Sequence, residues 1–329
     1  MKSPYYIDRE ANAAVASTKK ALEHALYKAG VSLDIPEEYT GVTGFYADNI
    51  RVNKLAYAVI DKYDLSAVRT WYKYGQYEPY EELRAGKLEV GPINNLGEYV
   101  HSRQKQDLQV GDLVNALLEF NLAELFQMDT YEFLRTNYRG FAPDGVEQVY
   151  LASTEIIRVL QEAAEAAEEE IRSRVLEWRE QIQEAALDIE YATGAIDYLP
   201  AYAAERLNWF VDTLADLLIS IECSGGPLTS ATDHLERARD YYHQTFWPIT
   251  AMSISIEEVE GPDAERYRNK GRGIRSQLKS DSETEKTNWE TDLTDDRLTP
   301  TVSERQSVVM EDGMGSQMFD ASVRLSDGD

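Results

Sequence analysis

The chain has 329 residues, 43% of them hydrophobic, and 59 Asp+Glu against 33 Lys+Arg leave a formal net charge of −26. That excess costs stability through self-repulsion in dilute buffer, but in molar salt the Debye length falls to about 3 Å and the penalty nearly vanishes. The charge argues against nucleic acid and anionic membranes as main partners, and the single cysteine, Cys223, excludes an internal disulfide.

Residues 8–29 carry Ala11, Ala14, Val15, Ala21, Leu22, Ala25 and Leu26 at helical spacing, with Gly30 placed as a left-handed C-cap. The spacing predicts a second helix after Asp48, through Val52, Leu55, Val59 and Tyr63. A short third one follows Asp64, carries Val68, Trp71 and Tyr72, and stops at Gly75. Pro79, Gly86, Gly91, Pro92 and Gly97 mark turns and short extended structure from Gln76 to Val100. Helices resume over 112–127 and 131–138.

From Val146 the pattern predicts one long helix over 145–193, opened by a capping box of Asp144 and Glu147 and about 70 Å in length. Its apolar positions run Val146, Tyr150, Ser153, Ile157, Leu160, Ala164, Ala167, Ile171, Val175, Trp178, Ile182, Ala185 and Ile189. The alternating steps of four and three are those of a coiled-coil seam, with one stutter at Ala167, Ile171 and Val175. The other faces read as Glu, Gln and Arg. Further amphipathic helices are expected from Pro200 to Cys223 and from Ser230 to Phe246, with Pro248 closing the last. After Gly261-Pro262 the periodicity disappears and polar residues dominate, which predicts disorder to the end.

The expected architecture is therefore mainly α. It comprises a compact helical domain over 1–140, an elongated antiparallel helical hairpin or bundle over 144–258, and a disordered acidic tail over 259–329. No segment has the uninterrupted apolar length of a membrane span, and Met1 to Asp8 hold no apolar core of signal length, so no membrane association and a cytoplasmic location are expected. No lysine occurs between Lys105 and Lys270. Acidic, lysine-poor composition of this kind resembles that of soluble proteins from salt-accumulating archaea.

Site chemistry is sparse. Of the four histidines, His24, His101, His234 and His243, His24 lies within a charged helix face, and His234 and His243 fall on opposite faces of one expected helix. The long helix has no Glu-x-x-His for a di-iron site. Cys223-Ser224-Gly225-Gly226 lacks the strand–turn–helix setting of a nucleophile elbow, and Gly271-Arg272-Gly273 lacks that of a phosphate loop. A non-enzyme without cofactor or metal is the expectation.

Two features suggest recognition instead. Trp71, Tyr72, Tyr74, Tyr77 and Tyr80 crowd ten residues, and such rings either form an interaction surface or pack a core. Met310, Met314, Met318 and Phe319 are apolar islands in polar chain and form a candidate docking motif. Arg266, Arg268, Lys270, Arg272, Arg275 and Lys279 make the basic stretch 266–279, which could meet nucleic acid but at high salt reads better as a charge-balanced linker.

Val52-Asn53-Lys54-Leu55-Ala56-Tyr57, followed by Thr70-Trp71-Tyr72-Lys73-Tyr74-Gly75-Gln76-Tyr77-Glu78-Pro79, resembles the hallmark of Panacea-type antitoxin and adaptor domains. The likeness covers residues 50–83; Gln76 stands where that family has proline, and the spacer is shorter. It implies a helical, non-enzymatic protein that holds a partner, with Lys54, Tyr57, Tyr74, Gly75 and Pro79 as signature positions. The favoured expectation is a regulatory or adaptor protein that binds a protein partner or self-associates through its helices. The alternatives are a DNA-associated regulator dimerising through the long helix and a structural component of a viral or cellular assembly.

Overall fold

The structure is a computed structural model that describes residues 9–33, 47–73, 75–77, 80–100, 102, 107–143, 145–224, 228–262 and 264–311, the side chains of 9, 10, 75–77, 81 and 307–311 excepted. It is mainly helical, and its contacts divide it into two compact units. The first takes residues 1–150 and 248–276, the second 151–247 and 277–329.

In the first unit, α1 (Arg9–Lys28) turns the apolar face read from its sequence onto α2 (Ala47–Lys62) and α3 (Val110–Leu118). Ala14, Leu22, Leu26, Val52, Val59, Ile60, Leu113 and Leu117 make a continuous core there. Gly30 takes φ +67°, the left-handed conformation that glycine adopts without a Cβ penalty. Residues 112–127 form two helices rather than one: α3 stops at Leu118, and α4 (Leu122–Gln127) starts after a gap of three residues. Next comes α5 (Thr130–Phe141), whose N-cap Asp129 accepts from the Tyr131 and Glu132 amides and satisfies donors the first turn cannot.

The expected third helix is not formed. Thr70–Tyr72 is a strand, β1, paired antiparallel with β2 (Gly75–Tyr77). A branched and aromatic run suits a pleated, half-buried surface better than a helix. Tertiary contacts hold it: Arg69 and Glu260 exchange backbone hydrogen bonds of 3.1 and 2.9 Å, and Thr70 Oγ1 donates to the Ser255 carbonyl at 2.8 Å. The Arg69 guanidinium, 9% exposed, is neutralised by Asp61 at 2.9 Å and Glu260 at 2.7 Å. Gly261, at φ +101°, packs so closely that a Cβ would stand 2.4 Å from the Ala67 carbonyl oxygen.

The long helix of the sequence reading is two helices, α6 (Glu147–Glu165) and α7 (Glu168–Gly194). Asp144, its expected capping residue, lies outside the described residues. Ala167, the stutter position, is exposed and extended at φ −69°, ψ 155°. The chain folds back at this point: Arg174 reaches Glu162 at 2.8 Å and Arg158 reaches Gln181 at 3.5 Å. In an unbroken helix at about 1.5 Å per residue those pairs would stand roughly 18 and 34 Å apart. The reversal costs little, because Ala166 and Ala167 have no bulk to bury and Glu168, Glu169 and Glu170 complement the dipole of the new N-terminus. Every other seam position from Val146 to Ile189 is buried as expected.

The second unit completes with α8 (Ala201–Cys223), packed along α7, and α9 (Thr229–Tyr241). Buried Arg179 crosses from α7 to Glu222 at 3.1 Å. Pro248 does not close a helix. A π turn over Tyr242–Phe246 leads into α10 (Trp247–Glu257), and the Trp247 amide donates to Tyr242 O. The widened turn moves the carbonyl that a proline ring would otherwise strike, and it removes the need for the missing amide. It also lets Tyr241, Tyr242 and Phe246 all meet Phe210, with ring centroids at 5.8, 5.3 and 6.4 Å.

The largest correction concerns the tail. Ala264–Asp295 is a 32-residue helix, α11, and Val302–Glu311 a further one, α12; residues 312–329 lie outside the described residues. The few apolar side chains of α11 are spent efficiently: Tyr267 packs in the first unit, while Trp289 and Leu293 are buried in the second. Gly271 permits contact with α10, since a Cβ there would meet Ile256 Cγ1 at 2.9 Å. Ion pairs carry the rest of the face in the second unit, joining Arg206 to Glu283 and Arg237 to Glu285 and Asp292.

Candidate functional site

Of the aromatic run expected as an interaction surface, Trp71 and Tyr80 are core and Tyr72 is half-buried. Trp71 is 2% and Tyr80 6% exposed. The Trp71 ring meets Tyr150 edge-on at 5.4 Å and Tyr138 at 6.5 Å, and the Tyr150 hydroxyl donates to the Tyr72 carbonyl at 2.9 Å. Tyr80 accepts the Val68 amide at 2.7 Å. Trp71 is the middle residue of β1, and Tyr80 lies outside both strands, just before the turn at Glu81–Leu83. Tyr72 is half-buried, and burial drives its hydroxyl pKa upward. Tyr57, hydrogen-bonded to the Trp71 side chain, is pushed up to about 12, mainly by burial. Tyr74, Pro79 and the side chain of Tyr77 lie outside the described residues, as do His101, Met314, Met318 and Phe319; Met310 falls within α12.

Lys54, a signature position of the sequence reading, lies at the wall of a cavity. It is 5% exposed, in the middle of α2, and burial pushes its amine well below the ordinary lysine range. The cavity measures about 70 Å³ and is shared with Leu55 and Ala58 of α2, Phe120, Leu125 of α4, and Phe133, Thr136, Asn137 and Phe141 of α5. One turn before Lys54, Arg51 pairs with Asp48 at 3.0 Å and stands over the Phe126 and Phe133 rings at 5.9 and 5.8 Å. The walls beyond α2 come from three segments that lack any common motif. Sequence spacing therefore offered no signal for them.

A second feature is on α7. Leu176, Leu187 and Tyr191 are 37, 50 and 86% exposed. At 100° per residue they fall within about 60° of each other, diametrically opposite the buried row of Ile171, Trp178, Ile182 and Ile189. Exposed Glu169, Glu180 and Glu184 share this outward face. The faces outside the seam are almost entirely Glu, Gln and Arg in sequence, and this row is the departure from that pattern. The heptad outer spacing of these three residues was the signal available.

The remaining candidates are structural. His234 accepts the Trp289 indole N–H on Nδ1 at 3.1 Å, which leaves Nε2 to donate to Asp296 at 3.0 Å. Together they fasten α9 to α11. His24 accepts the Ile93 amide on Nδ1 at 3.1 Å. Within 266–279, Arg268 donates to the Ile256 and Val259 carbonyls, Arg272 to Asn269 and Arg275 to Ser253, while Lys279 stands 4.4 Å over the Tyr202 ring. Cys223 is exposed at the end of α8. Among the described residues no group of three or more His, Cys, Asp or Glu side chains is placed to hold a metal ion, and no helix is long and apolar enough to cross a membrane.

The fold and these features define a mainly α-helical protein of two compact units with an apolar cavity in the first and an outward apolar row in the second. The chain belongs to the family described as Domain of unknown function (DUF8098), whose model matches residues 85–312. That match spans the second unit as far as α12 and begins after the 50–83 window of the Panacea-type resemblance. No curated protein and no solved structure matches the chain.

Proposed function

We propose that the protein is a non-enzymatic adaptor of a high-salt cytoplasm that holds a partner protein on the outward face of α7. The exposed row of Leu176, Leu187 and Tyr191 carries the reading. Large side chains on both the buried and the outward face of one helix are unusual in a chain so acidic, where solubility favours charge outside. Glu169, Glu180 and Glu184 flank the row, so a second copy of this face would bring like charges together. The partner that fits is a different protein presenting an apolar helix flanked by Lys or Arg.

The test is retention of a partner in molar KCl by the full chain and by the double variant Leu187→Glu, Tyr191→Glu, with a photo-crosslinker at Gln183. Support requires a partner lost in the variant and crosslinked through a basic-flanked apolar helix. Retention by the variant, a crosslink to α7 of a second copy, or no retained protein overturns the proposal.

A further inference from the structure

His234 sits between two partners that together demand one protonation state. An indole nitrogen only donates, so the Trp289 N–H at 3.1 Å requires a bare Nδ1, and the imidazole proton stays on Nε2, 3.0 Å from Asp296. We propose that this contact is an acid-sensitive latch, which opens when His234 takes up a second proton and frees the second half of α11 from α8 and α9. The added proton stands on Nδ1, against the indole N–H. Two donors then face each other out of reach of solvent, since His234 is 5% and Trp289 0% exposed.

Asp296 pulls the other way, because its carboxylate favours an imidazolium. It is 45% exposed, and an exposed pair contributes little, least of all in molar salt, whereas an unmade bond in the core costs its full desolvation. Around the contact, Arg237 of α9 pairs with Glu285 and Asp292 of α11, and Arg206 of α8 pairs with Glu283. Glu290 accepts the Trp209 indole and meets Lys286, while Asp233, Glu236, Asp295 and Arg297 are exposed. Ordinary carboxylates hold their charge above about pH 5, so the imidazole is the group that changes between neutrality and that point. Beyond Trp289, this half of α11 buries only Leu293 and Ser282, whose hydroxyl meets that of Tyr241 at 2.7 Å. Its ion pairs weaken in molar salt, which leaves the indole and its acceptor much of the hold. Opening bares the Trp209, Phe210 and Tyr241 rings that pack on Trp289. The open form carries one proton more than the closed form, so the closed form prevails at neutral pH and loses ground as pH falls, by at most about tenfold per pH unit.

The experiment follows hydrogen exchange of the full chain in molar KCl from about pH 8 to about pH 5, with protection corrected for the intrinsic rate at each pH. Protection over 280–295 is expected to fall about fivefold or more across that range, the factor that one unmade buried hydrogen bond brings, while α6 and α7 keep theirs. His234→Asn leaves an oxygen near the Nδ1 position to accept the indole but cannot titrate, so its protection should not respond to pH. Trp289→Phe keeps the imidazole and removes the opposing donor, and its fall should shrink to about twofold or less. Either variant decides alone if the other does not fold. Constant protection over 280–295 in the unaltered chain overturns the proposal. So does a fall of undiminished size in either variant, or one shared equally by α6 and α7, which would mark general acid unfolding.

Discussion

Replacing Trp289 by alanine measures whether the polar C-terminal third of the chain is packed. Trp289 is fully buried, touches the Trp209, Phe210 and Tyr241 rings at centroid distances of 5.9, 6.0 and 6.1 Å, and donates its indole N–H to His234. A tryptophan buries about 150–250 Å², which at ~25 cal/mol/Å² corresponds to about 4–6 kcal/mol as an upper estimate. Measured truncations of buried aromatics fall at ~3–5 kcal/mol. Loss of the donor also leaves His234 Nδ1 a buried acceptor, at a cost of about 1–3 kcal/mol. Trp289→Ala should therefore destabilise the protein by about 4 kcal/mol or more, a large part of the ~5–15 kcal/mol typical of a domain. Trp289→Phe, which keeps a six-membered ring but loses the same donor, should cost less, about 2–3 kcal/mol. Urea unfolding in molar KCl, followed by far-ultraviolet circular dichroism, reads both. A shift below about 1 kcal/mol for Trp289→Ala would refute the packing of α11, because a side chain in unstructured polar chain has nothing to lose.

Gly261→Ala should destabilise by about 1–3 kcal/mol, since it places a Cβ against the Ala67 carbonyl at φ +101°; the thermal midpoint reads the change. Stability should rise with pH from about 8 toward 10, because Lys73, at about 8 when folded, binds its proton more weakly than in the unfolded chain. Lys73→Met should lessen that rise without abolishing it, because Lys54, also lowered by burial, contributes with the same sign. Above pH ~10 the trend should reverse, as Tyr57 and Tyr241 hold their protons to about 12 when folded while their unfolded counterparts release them near 10. Urea midpoints across this range check both signs. Tyr242→Phe, which removes a buried hydroxyl hydrogen-bonded to Ser153 Oγ at 3.2 Å, should cost about 1 kcal/mol in the same assay.

Much of the helical framework was legible because burial follows periodicity. The apolar faces of α1, α2 and α8, and nearly every seam position from Val146 to Ile189, could be read directly from spacing. Failures came where local preference gave way to distant contacts. The strand at Thr70–Tyr72 depends on Glu260 and Ser255, nearly two hundred residues away. The break at Ala166–Ala167 was visible as a stutter, but a stutter marks a change of register and does not say that the chain reverses. The seam was read as a coiled coil of one long helix, whereas its two halves bury their apolar faces in a hairpin.

Candidate sites followed the same division. The aromatic run was conspicuous in sequence, yet its rings at Trp71 and Tyr80 pack inside. The cavity at Lys54 was invisible apart from the lysine itself, because its walls converge from α2, α4, α5 and Phe120. Amino-acid sequence by itself determined the charge, the fold class and the buried stripe of each strongly periodic helix, since a stripe needs only near neighbours along one helix. Tertiary structure alone decided the fate of α11. A polar helix with few apolar residues becomes stable only when Tyr267, Trp289 and Leu293 find cores built by other segments and its charges find partners across space.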